Sequence, residues 1–293
     1  MSSPVPADPD ARRAALRQAY IAACDGELEA LKPGNVHSHA AGHGMSVEDF
    51  RVSARVSAAP LTAPGSGVGR RILAAVAATR EAVGCNTNLG IVLLAAPLLA
   101  AAESAAPAGL RAALADVLAR LSVADAVAAY EAIRLAAPAG LGRVAEQDAA
   151  TAPTLDLRQA MALAAEGDSI ARQYATDYAT VFEIGVAELR AQHAVDVDPR
   201  WATSHIYMNF LATIPDSHIL RKHGAAAAEA VRAEAAALAR ALAHAAPDGR
   251  QAALIAFDRR LKRGGFNPGS SADLTVASLL ALACENILGD QQQ

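Results

Sequence analysis

Apolar residues recur along this chain at helical spacing, and polar residues collect in short islands between the apolar runs. Ala14, Ala15, Tyr20, Ile21 and Leu28 predict a helix over residues 10–31. Lys32-Pro33-Gly34 ends it, because proline disfavours the helical region in its predecessor and glycine frees the turn. Ser46-Val47-Glu48-Asp49 predicts the next helix start as a capping box, with Asp49 in the position usually held by Glu. Helical runs follow over 69–83, 89–102, 110–121, 123–135, 156–167, 168–192, 199–214, 225–246, 252–263 and 270–288, and Asp216 restarts a helix after Pro215. The most apolar run, 89–102, is too short to span a bilayer and contains Pro97, so it reads as a buried core helix. No segment shows the two-residue period of a strand, and no fixed-period repeat marks a solenoid. The pattern predicts an all-α protein. Its single compact multi-helix domain, of about ten or more helices, covers 10–288, between a disordered tail at 1–9 and a C-terminal tail at 289–293.

Composition narrows the function classes. Of 293 residues 53% are hydrophobic but only 4% aromatic, an aliphatic balance that favours helices and supplies a core needing no disulfide or metal staple. A net charge of −4 gives no basic excess for nucleic acid or an anionic membrane. Cys24, Cys85 and Cys284 stand apart with no CxxC spacing, the pattern of a reduced, cytoplasmic protein. The first ten residues lack the basic and apolar regions of a signal peptide.

Candidate chemistry lies in three polar islands. They are residues 27–36, Asn86-Thr87-Asn88-Leu89-Gly90, and Asn267-Pro268-Gly269-Ser270-Ser271-Ala272-Asp273-Leu274. Each adjoins a helical run, and a fold that gathers them makes a pocket lined by helix N-termini, where free N–H groups and the dipole suit phosphate. Each also has an ordinary reading. Ser270 and Asp273 fit an acidic capping box; Lys32-Pro33-Gly34-Asn35 fits a helix end; Asn86, Thr87 and Asn88 fit a turn and cap. On a continuing helix Glu27 would lie about 140° round from Lys32, so the two meet only if the helix ends early or the turn curls back.

Outside the islands, Asp216 reads as an N-cap followed by Arg221 and Lys222, which fit either a solvated helix end or a triphosphate clamp. Asp168 and Arg172 stand at i,i+4, the spacing of a helix ion pair. Glu146 and Asp148 close a Gly-rich loop and offer oxygen ligands of the kind Mg²⁺ prefers. His37, His39 and His43 do not form a helical ligand set, and solvated loop histidines, or one phosphate-binding histidine, are the better reading.

In order, the islands resemble the triphosphoribosyl-dephospho-CoA synthase family. The resemblance runs from about residue 22 to 282, through Glu27, Lys32-Pro33-Gly34-Asn35, Asn86-Thr87-Asn88-x-Gly90, Gly140-Leu141-Gly142, Asp148, Asp168-x-Ile170-Ala171, Asp216-Ser217, Arg221-Lys222-x-Gly224 and Asn267-Pro268-Gly269-x-x-Ala272-Asp273. It implies an all-α enzyme that moves the triphosphoribosyl group of ATP to the 2′-hydroxyl of 3′-dephospho-CoA and releases adenine. Such a transfer passes through an oxocarbenium-like state and needs a carboxylate, a proton for adenine and a cationic cradle. The expected catalytic carboxylates are Glu27, Asp148 and Asp273. Nucleotide and phosphate contacts are expected from Lys32, Gly34, Asn35, His39, Asn86, Thr87, Asn88, Arg221, Lys222, Asn267, Gly269, Ser270 and Ser271. Mg²⁺ is expected on Asp148 and Asp216. The partners expected are ATP and a CoA-like or other hydroxyl acceptor, without nucleic acid or membrane, and the expected assembly is a homodimer.

Two departures from the citrate-lyase members bear on the acceptor. Asn35-Val36 follows Lys-Pro-Gly, and Leu89 stands where a lysine is expected. Both resemble a branch of archaea and one-carbon-metabolising bacteria, so ribosyl transfer to a different, pterin-type acceptor stands as an alternative. A non-catalytic ATP-binding regulatory protein stands as a second.

Overall fold

The computed structural model describes residues 8–38, 45–105, 109–136, 153–194, 197–242 and 246–289. Among these residues the chain forms fourteen α-helices and no strand. They are α1 (Pro9–Glu29), α2 (Val47–Leu61), α3 (Val68–Val83), α4 (Leu89–Ser104), α5 (Leu110–Ala119), α6 (Val123–Ala136), α7 (Leu157–Ala164) and α8 (Ser169–Ala175). After a π-helical segment at Val181–Val186 come α9 (Ala187–Ala194), α10 (Pro199–Thr213), α11 (Ser217–His223), α12 (Ala225–Leu242), α13 (Pro247–Arg263) and α14 (Gly269–Gly289). Several starts carry the expected chemistry. Asp8 caps α1 ahead of Pro9, and Ser46 and Asp49 make the reciprocal capping box of α2.

Helix α14 is long and apolar enough to cross a membrane by length and composition, yet here it is the central helix of the core, against α1, α4, α10 and the π-helical segment. Apolar packing falls into two clusters. The larger joins α1–α9, the π-helical segment, one face of α10 and most of α14; the smaller joins the other face of α10 to α11–α13 with Leu31 and Ala272. Cys24 belongs to the first cluster and Leu31 to the second; Ala272 belongs to the second and Leu274 to the first. The polar residues between those pairs, Glu27 and Asp273, are therefore held at the seam.

As the sequence predicts, α4 is buried, with the aliphatic side chains from Ile91 to Leu99 at or below 7% exposure. Pro97 has no N–H for the Leu93 carbonyl four residues back, and its ring crowds that turn. Tyr174 repairs the gap, its Oη donating to Leu93 O at 2.6 Å, and Tyr178 Oη adds a bond to Leu94 O at 3.1 Å. Asp177 and Tyr178 adopt φ of 50° and 58°, left-handed values that ordinary side chains avoid. This turn breaks the helix expected over 168–192. We expect Tyr174→Phe to cost about 1–3 kcal/mol, because it strands a buried carbonyl; urea unfolding measures it, and a loss near zero would mean that the carbonyl finds another donor.

Candidate active site

Helix α1 ends at Glu29, two residues earlier than the sequence pattern allows, and Ala30 turns extended at ψ 145°. That early end curls the chain back, so Lys32 Nζ meets the Glu27 carboxylate across a buried ion pair. Lys32 also donates to Asn35 Oδ1 at 3.3 Å and to the Val36 carbonyl at 2.7 Å. All three ammonium protons are thus committed, and the side chain is 0% exposed. In this arrangement Lys32 holds the loop, and a direct phosphate contact would require one of these bonds to break. Burial pushes the Glu27 carboxyl up and the Lys32 ammonium down, while the charge of each partner pulls the other back.

The Pro33-Gly34 turn is gripped on both sides. Tyr207 Oη donates to the Pro33 carbonyl at 2.7 Å, and the Gly34 N–H donates to Asp258 Oδ1 at 2.9 Å. Asp258 also faces Lys262 Nζ at 3.0 Å and His37 Nε2 at 3.4 Å. Burial raises the Asp258 carboxyl, but the hydrogen bonds from His37, Gly34 and Lys262 outweigh it and hold the group below its ordinary range. Gly34 sits at φ +85°, and a Cβ there would lie 2.8 Å from Pro268. Glycine is required at this position for both reasons.

The three islands meet. Asn35 Nδ2 donates to Asn267 Oδ1 at 2.9 Å, joining the first to the third. Gly90, in the first turn of α4, joins the second to the third: a Cβ on it would lie 2.1 Å from Asp273 Oδ2. A cavity of about 10 Å³, near the size of one water, lies between Glu27 and Asn88. Around it run Tyr20 Oη to Ser57 Oγ at 2.9 Å, Asn88 Nδ2 to Ser57 Oγ at 3.4 Å, and Ser53 Oγ to Thr87 Oγ1 at 2.6 Å. Asn88 is the cap residue of α4 but gives it no side-chain bond; Asn86 Oδ1 does so, accepting from Leu89 N at 3.2 Å.

Asp273 is the distinctive group. It is partly exposed and accepts no hydrogen bond among the described residues. Burial pushes its carboxyl well above the usual range, the charges of Asp216 and Glu27 push it further, and Arg221 opposes them. The expected capping box with Ser270 is absent because α14 already begins at Gly269. Ser270 Oγ instead contacts Ser217 Oγ at 2.6 Å and accepts from His218 N at 3.1 Å. A carboxyl whose charged form is this poorly stabilised holds its proton more tightly than an ordinary aspartate, as a general acid must.

The remaining expected residues divide. Asp216 caps α11 as predicted, but its Oδ1 accepts from His218 N and Ile219 N and its Oδ2 from Ser271 N and Oγ. With four bonds and 2% exposure it ties α11 to α14, and the expected Mg²⁺ contact would require those bonds to break. Among the described residues no group of three or more His, Cys, Asp or Glu side chains could hold a metal. Arg221 pairs with Asp168 at 2.6 Å, which replaces the expected Asp168–Arg172 pair; Arg172 turns to the Ala165 and Glu166 carbonyls. Lys222 is exposed on α11. His39, His43, the Gly140-Leu141-Gly142 loop and Asp148 lie outside the described residues. Tyr207 and Asp258 were not singled out from the sequence, since one reads as a core aromatic and the other as a routine i,i+4 partner of Lys262. Lysine scarcity is the signal that points there: the chain has three, and Lys32 and Lys262 flank the Pro33-Gly34 turn.

Gly90 supplies a direct test of this packing. We expect Gly90→Ala to displace the Asp273 carboxyl by an ångström or more and lower turnover about 10²-fold, the usual cost of such misplacement. Steady-state assays of the folded variant measure it, and wild-type turnover would show that Asp273 does not act from this position.

Comparison with known proteins gives a consistent picture. No curated protein sequence matches the chain. Among solved structures, the fold is similar to the crystal structure of an Archaeoglobus fulgidus protein assigned as a triphosphoribosyl-dephospho-CoA synthase, at TM-score 0.61 and 23% identity. The match covers 79% of this chain and 97% of that one, and at this identity it speaks for the fold. The model of the CitG family, described as ATP:dephospho-CoA triphosphoribosyl transferase, matches residues 13–292. Neither the pterin-type acceptor nor the regulatory reading is favoured by that match. A family match over nearly the whole chain, on a fold that gathers the three islands around Asp273, makes this protein a member of the CitG family of ATP:dephospho-CoA triphosphoribosyl transferases.

Proposed function

We propose that Asp273 is the proton-exchanging group in transfer of the triphosphoribosyl group of ATP to the 2′-hydroxyl of 3′-dephospho-CoA. The observation that carries this reading is its carboxyl: partly exposed, without a hydrogen bond among the described residues, and raised by burial and by Asp216 and Glu27. In the reaction the C1′–N9 bond of ATP breaks and its electron pair leaves with adenine. The bond from the acceptor oxygen to C1′ forms. Protonated Asp273 delivers a proton to the departing adenine, and the carboxylate so formed takes the acceptor's hydroxyl proton, so the group ends as it began. Negative charge from Glu27 and Asp273 favours the cationic ribosyl centre between these events.

Arg221 and Lys222 meet the triphosphate in this proposal, with Arg221 exchanging Asp168 for phosphate oxygens. The polar walls are Asn35, Asn86, Thr87, Asn88, Asn267 and Ser270. Gly269 and Ser271 shape the start of α14 beside them. Mg²⁺ enters only as the ion that accompanies ATP, and the protein works in the cytoplasm.

Adenine release from ATP, followed with and without 3′-dephospho-CoA, tests the reaction. We expect release that depends on the acceptor and matches product formation one for one. ATP binding by folded protein with no adenine released would leave the regulatory reading in its place.

A further inference from the structure

A second cavity, of about 450 Å³, opens on the other side of the first island, between α1, α10 and α13. Its volume is that of a small-molecule site. Leu31, Val197, Trp201 and Leu254 give it an apolar wall, and Arg250 and Gln251 give it polar edges. The Arg250 guanidinium lies 4.9 Å from the Trp201 ring centroid, which fixes both side chains at the cavity. Leu31 precedes Lys32 directly, so the segment that carries the buried ion pair also forms the wall of this cavity.

The chemistry of the lining selects between the two substrates. ATP offers a base, a sugar and four negative charges, with no apolar arm. The cavity does not collect cations for it: Glu29 and Asp198 line it together with Arg200 and Arg250, and Arg200 is already paired with Asp198 at 2.9 Å. The acceptor, 3′-dephospho-CoA, carries a pantetheine arm of methyl groups, methylenes and two amides. Such an arm fits an apolar wall, and its amides suit the polar side chains of Arg250 and Gln251 at the edge. We infer that this cavity holds the pantetheine arm of the acceptor, with Trp201 and Leu254 against its apolar part and Arg250 and Gln251 at its polar edge beside the amides. The inference rests on the proposed reaction for the identity of the acceptor.

Trp201 is the sole tryptophan of the chain, so its fluorescence reports on the cavity directly. Titrations with 3′-dephospho-CoA, 4′-phosphopantetheine and ATP test the assignment. We expect the first two to change the Trp201 emission and ATP to leave it unchanged. Trp201→Ala, followed by calorimetry, is expected to weaken 3′-dephospho-CoA about 10–100-fold, the loss of one large apolar contact, without changing ATP affinity. Gln251→Trp, at an exposed position on the rim, is expected to do the same by filling the mouth, and it serves if Trp201→Ala does not fold. Unchanged 3′-dephospho-CoA affinity in these variants, or a loss that falls on ATP instead, overturns the inference. Failure of the reaction is a separate result: wild-type protein that binds 4′-phosphopantetheine through Trp201 but releases no adenine upholds the cavity and removes the reaction.

Discussion

Asp273→Asn is expected to lower acceptor-dependent adenine release by about 10²–10⁴-fold, the contribution typical of a positioned acid–base group, while leaving the protein as stable as wild type or more so. The two halves of this expectation have one cause. Asp273 accepts no hydrogen bond among the described residues, and it is pushed up by burial and by the negative charges of Asp216 and Glu27. A neutral amide of the same shape loses the proton chemistry and also the repulsion. A residue kept only for the fold gives the opposite result, with lower stability and intact turnover.

The pH dependence separates the two cases further. A carboxyl whose pKa is raised on folding contributes its stabilisation below its unfolded-state pKa and loses it as pH rises through the folded-state value. Wild type should therefore lose stability relative to Asp273→Asn as pH climbs from the ordinary aspartate range through the raised value. Turnover should fall over the upper part of that range, as the proton needed by adenine is lost. Thermal unfolding of both proteins across pH reads the first effect, and parallel curves would show that Asp273 is not raised.

Lys32→Ala is expected to cost about 3–5 kcal/mol of stability, because it leaves the Glu27 carboxylate buried without its partner. The pair is well enclosed, with side-chain exposures of 0% and 5%, so solvent does little to screen the loss. The double variant Glu27→Gln, Lys32→Met should recover most of that stability, since removing both charges removes the desolvation cost along with the attraction. Turnover should stay low in both, because Lys32 also holds Asn35 Oδ1 and the Val36 carbonyl, and Asn35 reaches Asn267. Chemical denaturation of the three proteins measures the effect. A change below about 1 kcal/mol in Lys32→Ala would place the pair among weak surface ion pairs.

Much of the fold is legible in the sequence because helix ends are local events. Ser46 and Asp49 cap α2, Asp216 caps α11, and the apolar run around Pro97 becomes a buried helix. The errors fall where distant groups outcompete local ones. Asp168 leaves Arg172 for Arg221 across a partly exposed contact, and Ser270 leaves Asp273 for Ser217 in the buried seam, because the fold brings these distant partners within reach and nothing local announces them. Tyr174 shows the same limit: Pro97 announces an unpaired carbonyl, but nothing local says which hydroxyl supplies the bond.

The sequence by itself determined an all-α chain, the positions of many of its helix starts, and the three polar islands between helices, since periodicity, capping and composition act over a few residues. Only the tertiary structure decided which partners each island residue has. It buried Lys32 in an internal bond, spent Asp216 on tying two helices, and left Asp273 uncompensated against Gly90. The physical reason is that a charged group takes its role from its dielectric surroundings and its partners, and both are set by chain segments far apart in sequence.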